Sequence, residues 1–370
     1  MRGQRHRPHP QHGAADGRRP RRRLNLPSRR KTGRNAMWET TRMLRRQLLA
    51  AGGAAALPGL ALPTALRAQD AWPSRPIQMV VAFPPGGQAD VTARPVAAAL
   101  ETLFRQAVPV INRAGAGGII GSASVARAPA DGYTTLLALS SLAVLPESER
   151  IQGRVPAYTL DQLAPIARIT ADPTVLVVPA NAPWRSLADF VADAKRRPGA
   201  ISYGSAGNYS TLHVAMAMLT GAAGLDMLHV PFTGGGPALT ALLAGTLDSL
   251  ASGPGPVLPH LKEGRVRVLA CWGAQRIPGF EEVPTFLELG YREVEFYIWT
   301  GLFVPAATPA LVQARLREAL RQACQEAPLQ RALNAAGSPV AYLDGEDFAR
   351  FFADDNARLI RAVQRIGKVD

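Results

Sequence analysis

Three stretches share an arrangement that could do chemistry: an apolar run, a turn rich in Gly and Pro or Ser, then residues that open a helix. They read "FPPGGQAD" (83–90), "YGSAGNYSTLH" (203–213) and "PFTGGGPAL" (231–239). Such a turn lets backbone approach a ligand closely and points the unpaired N–H groups of a helix N-terminus, with the positive end of its dipole, outward. That is an anion seat. None of the three contains Lys or Arg, so an anion held there is gripped by neutral donors, backbone amides and the hydroxyls of Ser205, Ser210, Thr211 and Thr233. Asp90 has two readings: a group for a ligand amine or water, or a first-turn acid that complements the helix dipole and pairs with Arg94 four residues on.

Other chemistries fit these residues poorly. A dinucleotide fingerprint needs G-x-G-x-x-G, but "GAGGIIG" (115–121) places Ile120 at the third required position. A serine hydrolase elbow needs G-x-S-x-G, whereas Gly204 directly precedes Ser205, and no base or acid stands out beside it. His213, His229 and His260 are scattered and read as structural, so no metal site and no cofactor are expected. Cys271 and Cys324 read as small buried groups; whether they bridge stays open.

The net charge of +14 suggests a nucleic-acid partner until it is placed along the chain. Before Gln69 lie 16 of the 42 basic residues but only 2 of the 28 acidic ones, Asp16 and Glu39, which leaves 26 of each sign in the remainder. All the excess is therefore in the leader, and no nucleic acid is expected. Residues 1–68 have the order of an export signal: a basic region, the apolar "LLAAGGAAALPGLAL", and a small-residue cleavage pattern ending at Ala68. Arg45 and Arg46 before the apolar stretch resemble a twin-arginine address, with the general secretory route also open. Pro58 and Pro63 make the stretch a poor bilayer span. The Arg-rich tail before Met37, with His6, His9 and His12, reads as disordered or upstream sequence. A periplasmic location is the expectation.

Beyond the leader, short apolar runs alternate with helical patterns, which predicts an α/β protein with largely parallel sheets. "IQMVVAF", "VPVINR" and "YTTLLALS" read as strands with helices between them; "PIARIT", "TVLVVPA", "ISYGSA", "DMLHVPF", "SLASG" and "VRVLACW" form a second series. "FYIWTGLFVPA" is strand-like, and helices are expected from Pro309 onward. Open α/β sheets bind ligands outside the carboxyl ends of their strands, so the three turns could share one cleft.

The ordered set "WPSRPIQMVVAFPPGGQADVTARPVAAALE", "VINRAGAGGIIGSASVARAPADGYTTLL", "PGAISYGSAGNYSTLHVA", "HVPFTGGGPALTALLAG" and "WTGLFVPAATP" resembles the extracytoplasmic solute receptors of tripartite tricarboxylate transporters, the Bug-type periplasmic binding proteins. The resemblance runs from about Trp72 to the C-terminus. It implies a type II-like, two-domain Venus flytrap that closes on a small carboxylate-bearing solute and delivers it to membrane permease subunits. It also implies ligand contacts from Pro85, Gly86, Gly87 and Asp90, from Ser205, Ala206, Gly207, Ser210 and Thr211, and from Thr233 and Gly234. Tyr209 stands where relatives commonly carry glycine and Thr233 where they commonly carry lysine, which implies a bulkier, less cationic pocket.

The expectation is a monomeric, non-enzymatic receptor, with 72–170 plus 298–370 as domain 1 and 171–297 as domain 2. Two hinge crossings then fall near Thr170 and near Trp299. A receptor that signals to a sensing partner would use the same residues; a nucleotide-dependent α/β enzyme is the remaining alternative.

Overall fold

The computed structural model describes residues 72–369. The expected leader, with Arg45, Arg46, Ala68 and the three tail histidines, lies outside the described residues. The chain begins with β1 (Gln78–Val81), α1 (Gln88–Phe104), β2 (Val110–Asn112), α2 (Ile119–Ala126) and β3 (Thr134–Leu139). β1 is central and pairs in parallel with β2 and β3. Met79, Val80 and Val81 are all buried, as expected of a strand covered on both faces. A helix α3 (Leu145–Ile151) occupies the stretch whose sequence shows no clear period, and β4 (Leu163–Pro173) comes after it.

Thr174 alone separates β4 from β5 (Val175–Pro179), the first strand of a second sheet. That sheet is completed through α4 (Leu187–Arg196), β6 (Ser202–Ser205), α5 (Thr211–Ala223), β7 (Leu228–Pro231), α6 (Gly235–Leu243), β8 (Ser249–Ser252), α7 (Pro254–Lys262) and β9 (Val266–Cys271). The chain then returns to the first sheet as β10 (Tyr297–Pro305). It ends in α8 (Ala310–Gln325), α9 (Ala327–Ala335), β11 (Val340–Asp344) and α10 (Gly345–Ile366). β11 is a half-buried five-residue edge strand set among helices, too short for its alternation to stand out in the sequence.

Strand order is β11–β4–β10–β3–β1–β2 in the six-stranded sheet and β7–β6–β8–β5–β9 in the five-stranded one. The sheets are mixed, not largely parallel: β10 runs antiparallel to β3 and β4, β11 to β4, and β5 to β8 and β9. The reason is topological. β4 carries the chain out of the first lobe and β10 brings it back, so neighbours must run in opposite directions.

Thr170 and Trp299, the expected crossing points, lie inside this pairing, where Thr170 faces Thr300 and Trp299 faces Ala171. Their side chains are buried: the Thr170 and Thr300 hydroxyls are 2.9 Å apart, and Trp299 Nε1 donates to Asp355 Oδ2 at 2.7 Å. One sheet gives way to the other a few residues further on. There Trp272 N–H donates to Thr174 O at 2.8 Å, and Phe296 N–H donates to Trp272 O at 2.9 Å. Cys271 and Cys324 are both buried and free, so no disulfide joins them.

At the end of β4 sits Asp172, 1% exposed. Its Oδ2 accepts from Gln88 Nε2 at 2.8 Å and from the Ser338 hydroxyl. Burial pushes its pKa up to about 7, against the opposing bonds from Ser338, Thr170 and Gln88. A carboxyl whose folded pKa is raised adds stability that is complete below the unfolded value, about 4, and is lost as pH rises through about 7. Asp172→Asn removes this dependence. Measured by urea unfolding, the variant should therefore gain on wild type as pH rises from 4 to 7, by at most about 1.4 kcal/mol per pH unit. A difference between the two proteins that stays constant over that range would show Asp172 ionised throughout.

Candidate functional site

The first turn comes directly after β1. Gly86 takes φ 83°, a left-handed conformation that favours glycine, and its N–H donates to Asp90 Oδ2 at 3.1 Å. Asp90 also accepts from Arg94 at 2.9 Å through two nitrogens and from Asn112 Nδ2 at 3.1 Å. Burial raises its pKa, but these bonds outweigh it and hold the carboxyl below its usual range. Its oxygens are thus committed to shaping the turn. α1 is capped by Gly87, which offers no side-chain oxygen, so the first N–H groups of the helix stay available.

The second turn is braced from behind by three stacked rings. His213 and His229 lie 4.1 Å apart at 2°, and Tyr203 stacks on His229 at 4.9 Å. Burial pushes the pKa of His213 down to about 3 and that of His229 to about 4, so the stack is one of neutral imidazoles. His213 Nδ1 accepts the Tyr209 N–H at 2.9 Å. Ser205 Oγ lies 2.7 Å from His229 Nε2, and 3.1 Å from both Gly207 O and Gly207 N. The fold thus supplies a base beside Ser205 that the sequence hid at a separation of 24 residues. The hydroxyl is fully buried and bonded within its own loop, so it braces the second turn.

Tyr209 adopts φ 57°, a left-handed backbone costing about 1 kcal/mol for a residue with a Cβ. Its hydroxyl donates to Gly367 O at 2.7 Å and accepts from Val369 N at 3.0 Å. The bulky residue therefore ties the C-terminal segment to the second turn. In the third turn Gly234 caps α6 and Thr233 is exposed.

The turns of the two lobes meet. A Cβ on Gly236 would lie 2.8 Å from Pro85 O, one on Gly234 would lie 2.4 Å from the Pro84 ring, and one on Gly117 would lie 2.9 Å from Asn208 O. Thr211 Oγ1 accepts from Ser141 N at 3.2 Å and contacts Ser140 Oγ at 3.3 Å. Between the turns is a cavity of about 20 Å³, room for about one water molecule. The turns of the two lobes thus leave little space between them. Four helix N-termini reach this cavity: Gly87, Gln88 and Ala89 from α1, Ser210 and Thr211 from α5, Gly235 from α6, and Gly253 from the cap of α7. Among the described residues no Lys or Arg lines it.

Of the residues expected to touch ligand, Gly87, Ala206, Ser210 and Thr211 line the cavity. Pro85 and Gly86 are exposed, Gly234 packs on Pro84, and Ser205, Gly207 and Asp90 hold the turns in shape. Gln88, the Ser140–Ser141 pair and the β8–α7 turn were not among the expected residues. The last has a visible signal, since "SLASGPGPV" is a fourth apolar run broken by Gly and Pro before a helix. A larger cavity, about 1200 Å³, is lined by the flanks of α5 and α10 with Arg168, Arg358, Arg361 and Arg365. Among the described residues no helix N-terminus lines it, and Arg358 is already paired with Asp355.

Residues 92–368 match the model of the tripartite tricarboxylate transporter family receptor. The structure of the periplasmic binding protein BugD superposes with a TM-score of 0.76 at 26% identity, over 80% of this chain and 100% of that one. MatC from Rhodopseudomonas palustris, solved with malate, gives a TM-score of 0.73 at 28% identity over 79% of this chain and 100% of that one. A second R. palustris protein, solved with adipate, gives 0.74 at 28% identity over 79% and 98%. The shared fold is the two-lobed α/β flytrap, and its members are receptors that bind solutes in the periplasm. With two such lobes closing over convergent helix N-termini, this chain belongs to the tripartite tricarboxylate transporter receptor family, as a Bug-type solute-binding protein.

Proposed function

We propose that this receptor captures a small carboxylate in the periplasm, without catalysing a reaction, and hands it as a monomer to the permease subunits of a tripartite transporter. The observation that carries the reading is the convergence of four helix N-termini on one cavity that holds no cationic side chain. Unpaired first-turn N–H groups come from α1, α5 and α6, whereas α7, with Pro254 and Pro256 in its first turn, adds only that of Gly255; all four add the positive end of a helix dipole, so a carboxylate there is the complementary guest. Malate in MatC and adipate in its R. palustris relative are guests of this class. The near-zero charge beyond Gln69 suits a soluble protein freed of its basic leader by cleavage near Ala68.

The lobes in this reading comprise β1–β4 with β10–β11 and their helices, and β5–β9 with theirs. Hinges then fall at Thr174 and within the passage from Trp272 to Tyr297. The 20 Å³ cavity is too small for a dicarboxylate, so the solute enters an opened form and closes it through differential affinity.

Mono-, di- and tricarboxylates at 100 times their dissociation constant should stabilise the protein by about 2.7 kcal/mol, read as a thermal shift. Gly87→Val, whose branches extend toward the Gly235 and Gly236 amides, should abolish the shift, and Arg197→Gln on the far surface should not. A shift lost in Arg197→Gln and kept in Gly87→Val would put the anion on a cationic surface and sink the proposal.

Gly236→Ala tests closure. Its methyl would sit 2.8 Å from Pro85 O, a backbone atom of the other lobe that cannot yield alone. Small-angle scattering with saturating ligand should give wild type a smaller radius of gyration than without ligand, and Gly236→Ala should keep the larger value. Identical profiles for wild type with and without ligand would describe a rigid body.

A further inference from the structure

We propose that Gln88 selects the solute: its side-chain oxygen requires an O–H or N–H donor on the guest, so the preferred ligands are 2-hydroxy or 2-amino carboxylic acids and not plain carboxylates. The inference rests on the carboxylate-binding role proposed for this site. Gln88 is the first residue of α1, is 5% exposed, and lines the closed cavity. Its amide nitrogen is fully used, donating to Asp172 Oδ2 at 2.8 Å and to Ser338 Oγ at 2.9 Å. Two acceptors therefore fix which end of the amide faces inward. The other end, Oε1, is buried without a hydrogen-bond partner.

That oxygen faces the opposite lobe. A Cβ on Gly253 would stand 2.3 Å from Oε1, and one on Gly255 would stand 3.0 Å from it. Oε1 therefore projects across the interlobe boundary onto the β8–α7 turn, beside Ser252 and Gly253 of the cavity wall. Closure strips water from this acceptor, and a buried acceptor left unpaired opposes closure. A guest that places a hydroxyl or ammonium group there removes that opposition. One that places a carboxylate oxygen there sets acceptor against acceptor. The helix N-termini and Oε1 thus make complementary demands on neighbouring parts of one guest, an anion for the first and a donor for the second.

Dicarboxylates of equal chain length separate these demands. Succinate offers only the anions, L-malate adds a hydroxyl, and L-aspartate adds an ammonium group. Titration calorimetry on the wild type should show malate or aspartate binding on the order of tenfold more tightly than succinate, the size of one buried hydrogen bond. Gln88→Met keeps the volume and removes the acceptor, so within that variant the tenfold preference of malate or aspartate over succinate should vanish. Gly253→Ala reaches the same side chain from the other lobe, its Cβ 2.3 Å from Oε1 and 2.7 Å from Cδ, and should erode the same preference. Wild type that binds all three equally, or a preference that survives in both variants, overturns the role of Gln88 while carboxylate binding stands. Absence of any carboxylate binding in wild type overturns both.

Discussion

The antiparallel pairing of β4 with β10 is the constraint on which the rest of this molecule depends. The chain leaves the first lobe along one strand and returns along its neighbour, so the connections between lobes lie side by side. Neighbouring connections permit one lobe to swing against the other about a narrow line, which widely spaced ones would prevent. The pair is anchored by fully buried groups: the facing Thr170 and Thr300 hydroxyls, and Trp299, edge-on to Phe348 and Phe352 and bonded to Asp355. These fix the strands up to the last paired residues, Pro173 and Tyr297.

The site proposed on the far side of that line is lined by no side-chain cation among the described residues. An arginine would hold an anion strongly, but it would also need its own neutralisation in a closed, nearly dry cavity. Helix N-termini avoid this because their partial charges are fixed in the backbone and need no counter-ion. The requirement they impose is close approach, which is why Gly236 faces Pro85 O where no side chain fits. The neutral imidazole stack and the Ser205–His229 contact serve the same end, holding the second turn in place with no buried charge.

Two polar links couple the site to distant parts of the fold. Gln88 bonds Asp172 at the end of the outgoing strand and Ser338 near β11, so the cavity wall and the end of β4 share one hydrogen-bonded cluster. Tyr209 accepts a left-handed backbone and grips the end of the C-terminal segment, adding a non-covalent tie between second-lobe turn and first-lobe helix. Both links join residues more than 80 positions apart.

Local pattern made much of this readable. Runs such as "IQMVVAF" and "TVLVVPA", with Gly-rich turns and helical periods after them, identify an α/β chain, and the charge placement isolates the leader. The three turns are visible because their chemistry is local: glycine and proline act on the backbone where they stand. Other features were beyond local reach. β11, the mixed strand directions and the change from one sheet to the other at Thr174 depend on which strands become neighbours, a property of the whole chain. The burial that raises the Asp172 pKa, the histidine beside Ser205 and the aim of Gln88 Oε1 depend on residues brought together across long separations. Sequence alone determined that the chain would place unpaired helix N-termini on Gly-rich turns. Only the tertiary structure decided that four of them meet in one cavity, because convergence is set by how two sheets pack across a hinge and not by any segment's own preference.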